Sequence, residues 1–154
     1  MESGNYNTSL MFDMQWDLVL KHLETKGVEK VDLKKDSTSW GNYKNNAWNI
    51  TNENLKYAIN GKNWTNETEK EKDSSTKVLL STGEIDKFCK QGIYDLAGNV
   101  WEYTLGYSSY STEYRCIVRG GAYSQDGSFT QEFFRNSTKT SATYADNGFR
   151  VTLY

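Results

Sequence analysis

The sequence predicts an α+β fold with one or two helices, a small antiparallel sheet and long irregular loops. Helical periodicity occurs once, near the start. Short β-rich runs gather late in the chain, and the stretch between is polar, studded with aromatics and follows neither period. There is no internal repeat and no proline, and 154 residues match the size of one ordinary domain, so residues 1–154 are expected to form a single unit.

The helix is expected over Met14 to Lys26, where Trp16, Val19, Leu20 and Leu23 recur on one face, with Asp13 as N-cap and Gly27 closing it. From Val28 to Asn66 the text reads as loops pinned by Trp40, Tyr43, Trp48, Tyr57 and Trp64. Glu67 to Lys77 alternates charge without apolar content and reads as a solvated loop. Strands are expected at Lys77 to Leu80, Val100 to Thr104, Arg115 to Arg119 and Phe149 to Tyr154.

Hydrophobic residues are only 36 % and mean hydropathy is -0.79, a balance that approaches disorder. The deficit is offset by 5 Trp, 11 Tyr and 6 Phe, since each large ring buries roughly 150–250 Å². Net charge is -2 with Lys and Arg scattered, so no footprint for nucleic acid appears. No apolar run reaches the roughly 20 residues of a membrane helix, and MESGNYNTSL lacks the order of a signal peptide; membrane insertion is not expected. Cys89 and Cys116 have no CxxC spacing and read as buried or free thiols. Sequons at Asn7, Asn49, Asn63, Asn66 and Asn136 would matter only in a eukaryotic secretory pathway.

Gly92-Ile93-Tyr94-Asp95-Leu96-Ala97-Gly98-Asn99-Val100-Trp101-Glu102-Tyr103-Thr104 closely resembles the GLYDMAGNVWEWT signature of the formylglycine-generating-enzyme and sulfatase-modifying-factor family. Three more blocks stand in that family's order: Trp40-Gly41-Asn42, Arg119-Gly120-Gly121-Ala122-Tyr123 and Gly148-Phe149-Arg150-Val151. The helix around Trp16 falls where the family has its RLPTEAEWE helix. The resemblance covers roughly residues 10 to 154, with the N-terminal part of the family domain reduced or missing, and implies a C-type-lectin-like fold. Glycines 98, 120, 121 and 148 are then scaffold positions, with Trp101 and Phe149 in the core.

Family members that oxidise sulfatase cysteine use a copper-binding cysteine pair just beyond the RGG block, because thiolates suit Cu(I). Here those positions fall near Gln125 and Thr130. Iron-dependent relatives use three histidines, whereas this chain has only His22, beside the apolar stripe of the helix. Neither copper nor iron is expected. What the resemblance does imply is a structural calcium site, with carboxylates from Asp95 and Glu102 and backbone carbonyls from Gly98 and Val100, all hard oxygens. The competing arrangement has Asp95 capping the turn and Glu102 meeting an arginine.

In place of the family's active-site stretch, residues 123–147 carry aromatic, small polar and amide side chains, a paratope-like composition. The ligand surface is expected at Ser124, Gln125, Asp126, Phe129, Phe133, Asn136, Thr138 and Tyr144, between the rigid RGG and GFRV blocks. Such a chain resembles the variable proteins of diversity-generating retroelements and phage or prophage receptor-binding proteins, which implies a protein or glycan ligand on a cell surface. Alternatives are a formylglycine-generating-type oxidoreductase and a structural tail module. Adenine-directed diversification of AAY codons never yields Gln, Glu or Lys, so Gln125, Gln131, Glu132 and Lys139 count against a literal retroelement assignment.

The missing thiolate pair generates the first test. The purified protein is expected to leave a sulfatase CxPxR peptide unoxidised with or without copper, as read by mass spectrometry. Measurable turnover would restore the oxidoreductase.

Overall fold

A computed structural model describes residues 7–51, 56–64, 71–141 and 143–153. In chain order, the first elements are β1 (Thr8–Leu10), α1 (Asp13–Thr25) and α2 (Lys30–Lys34). Short strands follow: β2 (Trp48–Asn49), β3 (Tyr57–Ile59), β4 (Glu71–Lys72), β5 (Val78–Leu80), β6 (Cys89–Lys90) and β7 (Ile93–Tyr94). The last are β8 (Trp101–Tyr107), β9 (Cys116–Arg119), β10 (Asn136–Thr138), β11 (Asn147–Phe149) and β12 (Val151–Leu153). Among the described residues no helix is long and apolar enough to cross a membrane.

Helix α1 forms where the apolar period lies and buries Trp16, Leu20 and Leu23. Its N-cap is Phe12, not Asp13: the Gln15 side chain turns back to accept the Phe12 N–H at 2.8 Å, which satisfies that end without a short acidic cap. Asp13 instead joins Asp17 in holding the fully buried Arg119, at 3.3 and 2.7 Å, and both carboxylates also meet Arg135. The helix is thereby tied to β9 and to the segment beyond it. Gly27, at φ +90, closes the helix as expected. His22 is exposed in the last turn.

The main sheet has the order β10-β9-β8-β11. Its first three strands are antiparallel, but β11 runs parallel to β8, a departure from the all-antiparallel expectation. Separately, β1 pairs with β12, so the two ends of the described chain meet. The middle of the chain also holds more regular structure than its polar text predicts. Here β2 pairs with β4 and β3 with β5, contacts between segments some twenty residues apart that no local periodicity could announce.

Among the described residues, three apolar clusters fill the interior. Trp16, Leu20 and Leu23 of α1 meet Leu33, Trp40, Tyr43 and Leu96; Trp48, Tyr57, Val78, Leu80, Ile85 and Phe88 form the second; Trp101, Val118 and Ala122 the third. Four of the five aromatic pins are therefore buried. Trp64 is the exception at 53 % exposed. Part of the charged loop behaves differently as well: Lys72 is 5 % exposed because its ammonium donates to the carbonyls of Lys44, Asn46 and Asp73. Residues 67–70 of that loop lie outside the described residues.

Phe149 does not fill the core; it is 68 % exposed. The pleat explains this, because a Cβ on the preceding Gly148 would stand 2.9 Å from the Val100 side chain. The covered face of β11 has room only for glycine, and the next side chain must turn to the other face.

Gly121, at φ +77, is more constrained still, since a Cβ there would approach the Thr130 carbonyl oxygen to 2.4 Å. Gly121→Ala is expected to destabilise by about 2 kcal/mol or more, from strained backbone plus the clash. Trp101→Ala is expected to lose about 3–5 kcal/mol through the cavity left in the third cluster. Urea titration of each variant against the parent checks both.

Candidate functional site

The main sheet supplies the floor of a cavity of about 300 Å³. Trp101 of β8, Val118 of β9, Asn136 and Thr138 of β10 and Asn147 of β11 line it, because these strands lie side by side. Connecting segments add Tyr114, Gln125, Tyr144 and Asp146 around the rim. At the floor, Trp101 packs against Phe134 with ring centroids 6.2 Å apart.

The eight residues predicted as a ligand surface divide. Gln125, Asn136, Thr138 and Tyr144 come together at this cavity. Ser124 stands just outside and donates its hydroxyl to Asp146 at 2.9 Å. Asp126 is a structural knot: its Oδ1 accepts from the Ser128 amide and hydroxyl and from Asn45, at 3.0, 2.7 and 2.7 Å. Phe129 is 76 % exposed and lies outside the cavity, and Phe133 lines a different groove beside Leu20 and Leu33. Tyr114 was missed because it falls upstream of the RGG block. Its signal was the Tyr- and Ser-rich run Tyr107 to Tyr114. Asp146 and Asn147 sat inside the right stretch without being singled out.

Two charged side chains near the site, Lys139 and Glu132, are already placed by their surroundings. Lys139 pairs with Glu113 and stands 5.1 Å over the Tyr114 ring, and its pKa is raised chiefly by Glu113. Glu132, fully buried between Phe133 and Gln131 in sequence, has its carboxyl pushed well up by burial, opposed by the Arg119 charge and the Trp16 indole N–H.

The calcium set is arranged as an ion pair. Both Glu102 oxygens accept from the Arg150 guanidinium, at 2.7 and 2.8 Å, and Arg150 also reaches the Tyr94 carbonyl at 3.1 Å. Asp95, at φ +50, accepts the Gly83 N–H through Oδ2, and the Gly98 N–H donates to the Gly120 carbonyl. A dication at Glu102 would have to displace the Arg150 guanidinium, while Asp95 Oδ1 is buried with no hydrogen-bond partner among the described residues. Among the described residues no three His, Cys, Asp or Glu side chains gather to hold a metal ion.

At the family's copper positions, Gln125 lines the cavity, and the Thr130 hydroxyl donates to the Asp126 carbonyl at 3.0 Å. Cys89 and Cys116 stand as free, half-buried thiols on β6 and β9.

A single α1 helix packed beside a small sheet, paired terminal strands and a ligand-sized cavity walled by long loops define a C-type-lectin-like domain. The chain belongs to the sulfatase-modifying factor enzyme 1-like domain family, whose match covers residues 31–153. Among solved structures it is similar to variable protein 1 of Treponema denticola, with 16 % identity and a TM-score of 0.54, covering 98 % of this chain and 49 % of that one. The likeness is one of fold, and this chain spans about half the length of that protein. No curated protein matches it.

Two outcomes follow from the Glu102–Arg150 pair. Melting temperature is expected to be the same in excess EDTA and in millimolar Ca²⁺. Burial also raises the Asp95 pKa from 3.8 to about 6. The native state thus holds this proton more tightly than the unfolded chain, and stability falls as pH rises from about 4 to about 6. Asp95→Asn is expected to stabilise by roughly 1–3 kcal/mol at pH 7.5, with the gain vanishing toward pH 4. Thermal melts across that range check it, and calcium held by Asp95 would reverse the sign.

Proposed function

We propose that this chain is a non-catalytic recognition domain that uses segment 123–147 to bind a protein or glycan ligand on a cell surface, in the manner of a phage or retroelement-diversified receptor-binding protein. The observation that carries this is the division of labour within the segment. Apart from Ala145 and from Arg135, which pairs with Asp13 and Asp17, its exposed described positions are aromatic or small and polar, and Phe129, Phe133, Asn136 and Tyr144 all face outward. Of the four residues that adenine-directed diversification does not produce, Gln131, Glu132 and Lys139 have structural tasks for their side chains. Gln131 donates to the carbonyls of Lys35 and Ser128, Glu132 is buried beside Arg119, and Lys139 pairs with Glu113. The Gln125 backbone carbonyl accepts from the Lys44 amide at 2.7 Å. Structural anchors interleaved with free outward positions are what a surface open to sequence change requires. Gln131, Glu132 and Lys139 therefore no longer count against diversification, whereas Gln125, whose side chain lines the cavity, still does.

Combined replacement of Phe129, Phe133, Asn136 and Tyr144 by alanine is expected to shift stability little, since exposed substitutions each stay within about 0.5 kcal/mol, while abolishing capture by a panel of bacterial and mammalian cells. Glu132→Ala should do the reverse and lower the melting temperature. A four-site variant that unfolds, or that captures cells like the parent, would make the segment core or inert loop.

A further inference from the structure

We infer that the cavity over the main sheet takes a neutral, hydroxyl-rich sugar residue; this rests on the recognition reading above and narrows it. Charge is the first argument. Of the described residues lining the cavity, only Asp146 carries an acidic side chain, and no lysine or arginine is among them. A carboxylated, sulfated or phosphorylated ligand would meet Asp146, and the Lys139 ammonium beside the Tyr114 wall is already paired with Glu113. A cationic ligand fares little better, because the Tyr114 wall already carries the Lys139 ammonium over its ring. A neutral ligand remains.

Hydrogen-bonding capacity is the second. Carboxamides from Gln125, Asn136 and Asn147, with the hydroxyls of Ser137 and Thr138, give the walls both donors and acceptors. Gln125 lines the cavity, and its Oε1 is buried with no hydrogen-bond partner among the described residues, so a turn of the carboxamide toward the cavity would offer a ligand an acceptor. An unanswered buried acceptor is unfavourable by about 1–3 kcal/mol, and a ligand hydroxyl would relieve it. Asn147 is already turned, its Nδ2 donating to the Tyr103 hydroxyl at 3.1 Å.

Shape is the third. The cavity of about 300 Å³ is at the small end for ligand sites, near the size of a small ring and not of an extended peptide. Its floor is Trp101, already packed on Phe134, so there is no hole for the buried apolar anchor that protein partners favour. The exposed Tyr144 ring at the rim instead offers a flat apolar face, which suits the C–H face of a pyranose while amides bind its edge.

The test uses the full chain on a printed array of neutral, sialylated and sulfated oligosaccharides, and on cells treated with periodate or with trypsin. Neutral glycans with intact vicinal diols should be bound. Raising NaCl from about 50 to about 500 mM should change the signal less than about twofold, as for an uncharged ligand. Tyr144→Ala and Asn136→Ala should each weaken glycan binding by about tenfold at unchanged melting temperature. Gln125→Leu is the sharper variant: it removes the unpartnered acceptor, so melting temperature should hold or rise while binding falls. Preference for acidic glycans would overturn the proposal, as would a Gln125→Leu protein that binds like the parent. Cell capture that survives periodate and is lost to trypsin would overturn the sugar and leave recognition standing. Capture of neither cells nor glycans would overturn both.

Discussion

The amide pair Asn42–Asn99 is the contact through which the separate pieces of this fold become one. Asn42 Nδ2 donates to Asn99 Oδ1 at 2.9 Å and to the Val78 carbonyl at 2.8 Å, while its Oδ1 accepts the Trp48 indole N–H at 3.1 Å. Asn99 completes the knot with both amide and carbonyl on Leu80, at 3.1 and 3.0 Å, and its backbone carbonyl accepts the Tyr123 N–H. Residues 42–48, β5 and the turn at Asn99 meet on two buried side chains, and Tyr123 joins through the Asn99 backbone. Strands of two or three residues cannot hold a fold by ladder bonds alone, so buried amides with every partner supplied take over the role of a sheet.

The same economy of regular structure shapes the ligand segment. It leaves the second Asn99 contact at Tyr123, is pinned by Asp126 and Gln131, dips into the interior at Glu132, and returns to the sheet as β10. The buried Arg119 stands beneath that dip, held by Asp13 and Asp17 of α1 and near the Trp16 ring at 5.8 Å. Anchors at fixed intervals hold the backbone while the side chains between them face water. This is how a loop without secondary structure can present a defined surface whose composition is free to vary.

Legibility of the site followed the same line. Residues 123–147 stood out because Phe and Tyr in a polar stretch are unusual, and half of the residues singled out do meet at one cavity. The others did not because composition cannot tell an Asp that caps a turn from one that faces a ligand. Asp126 binds its own backbone, and Phe133 follows the chain around the far side of α1. Tyr114 joins the cavity only because β9 and β10 pair Cys116 with Thr138, bringing the preceding loop alongside.

What the sequence by itself determined was the α+β class, the helix α1, the four motif blocks and the absence of the family's metal-binding cysteines and histidines. Those properties live in local periodicity and in residue identity, and both are read along a line. What only the tertiary structure decided was the partner of each polar group: Glu102 with Arg150, Lys72 with three carbonyls, Phe149 turned outward by the crowding at Gly148. Burial makes such partners obligatory, since a charge or amide removed from water must be answered nearby. Which group answers depends on strands that meet across twenty to more than a hundred residues, a separation over which sequence carries no periodic signal.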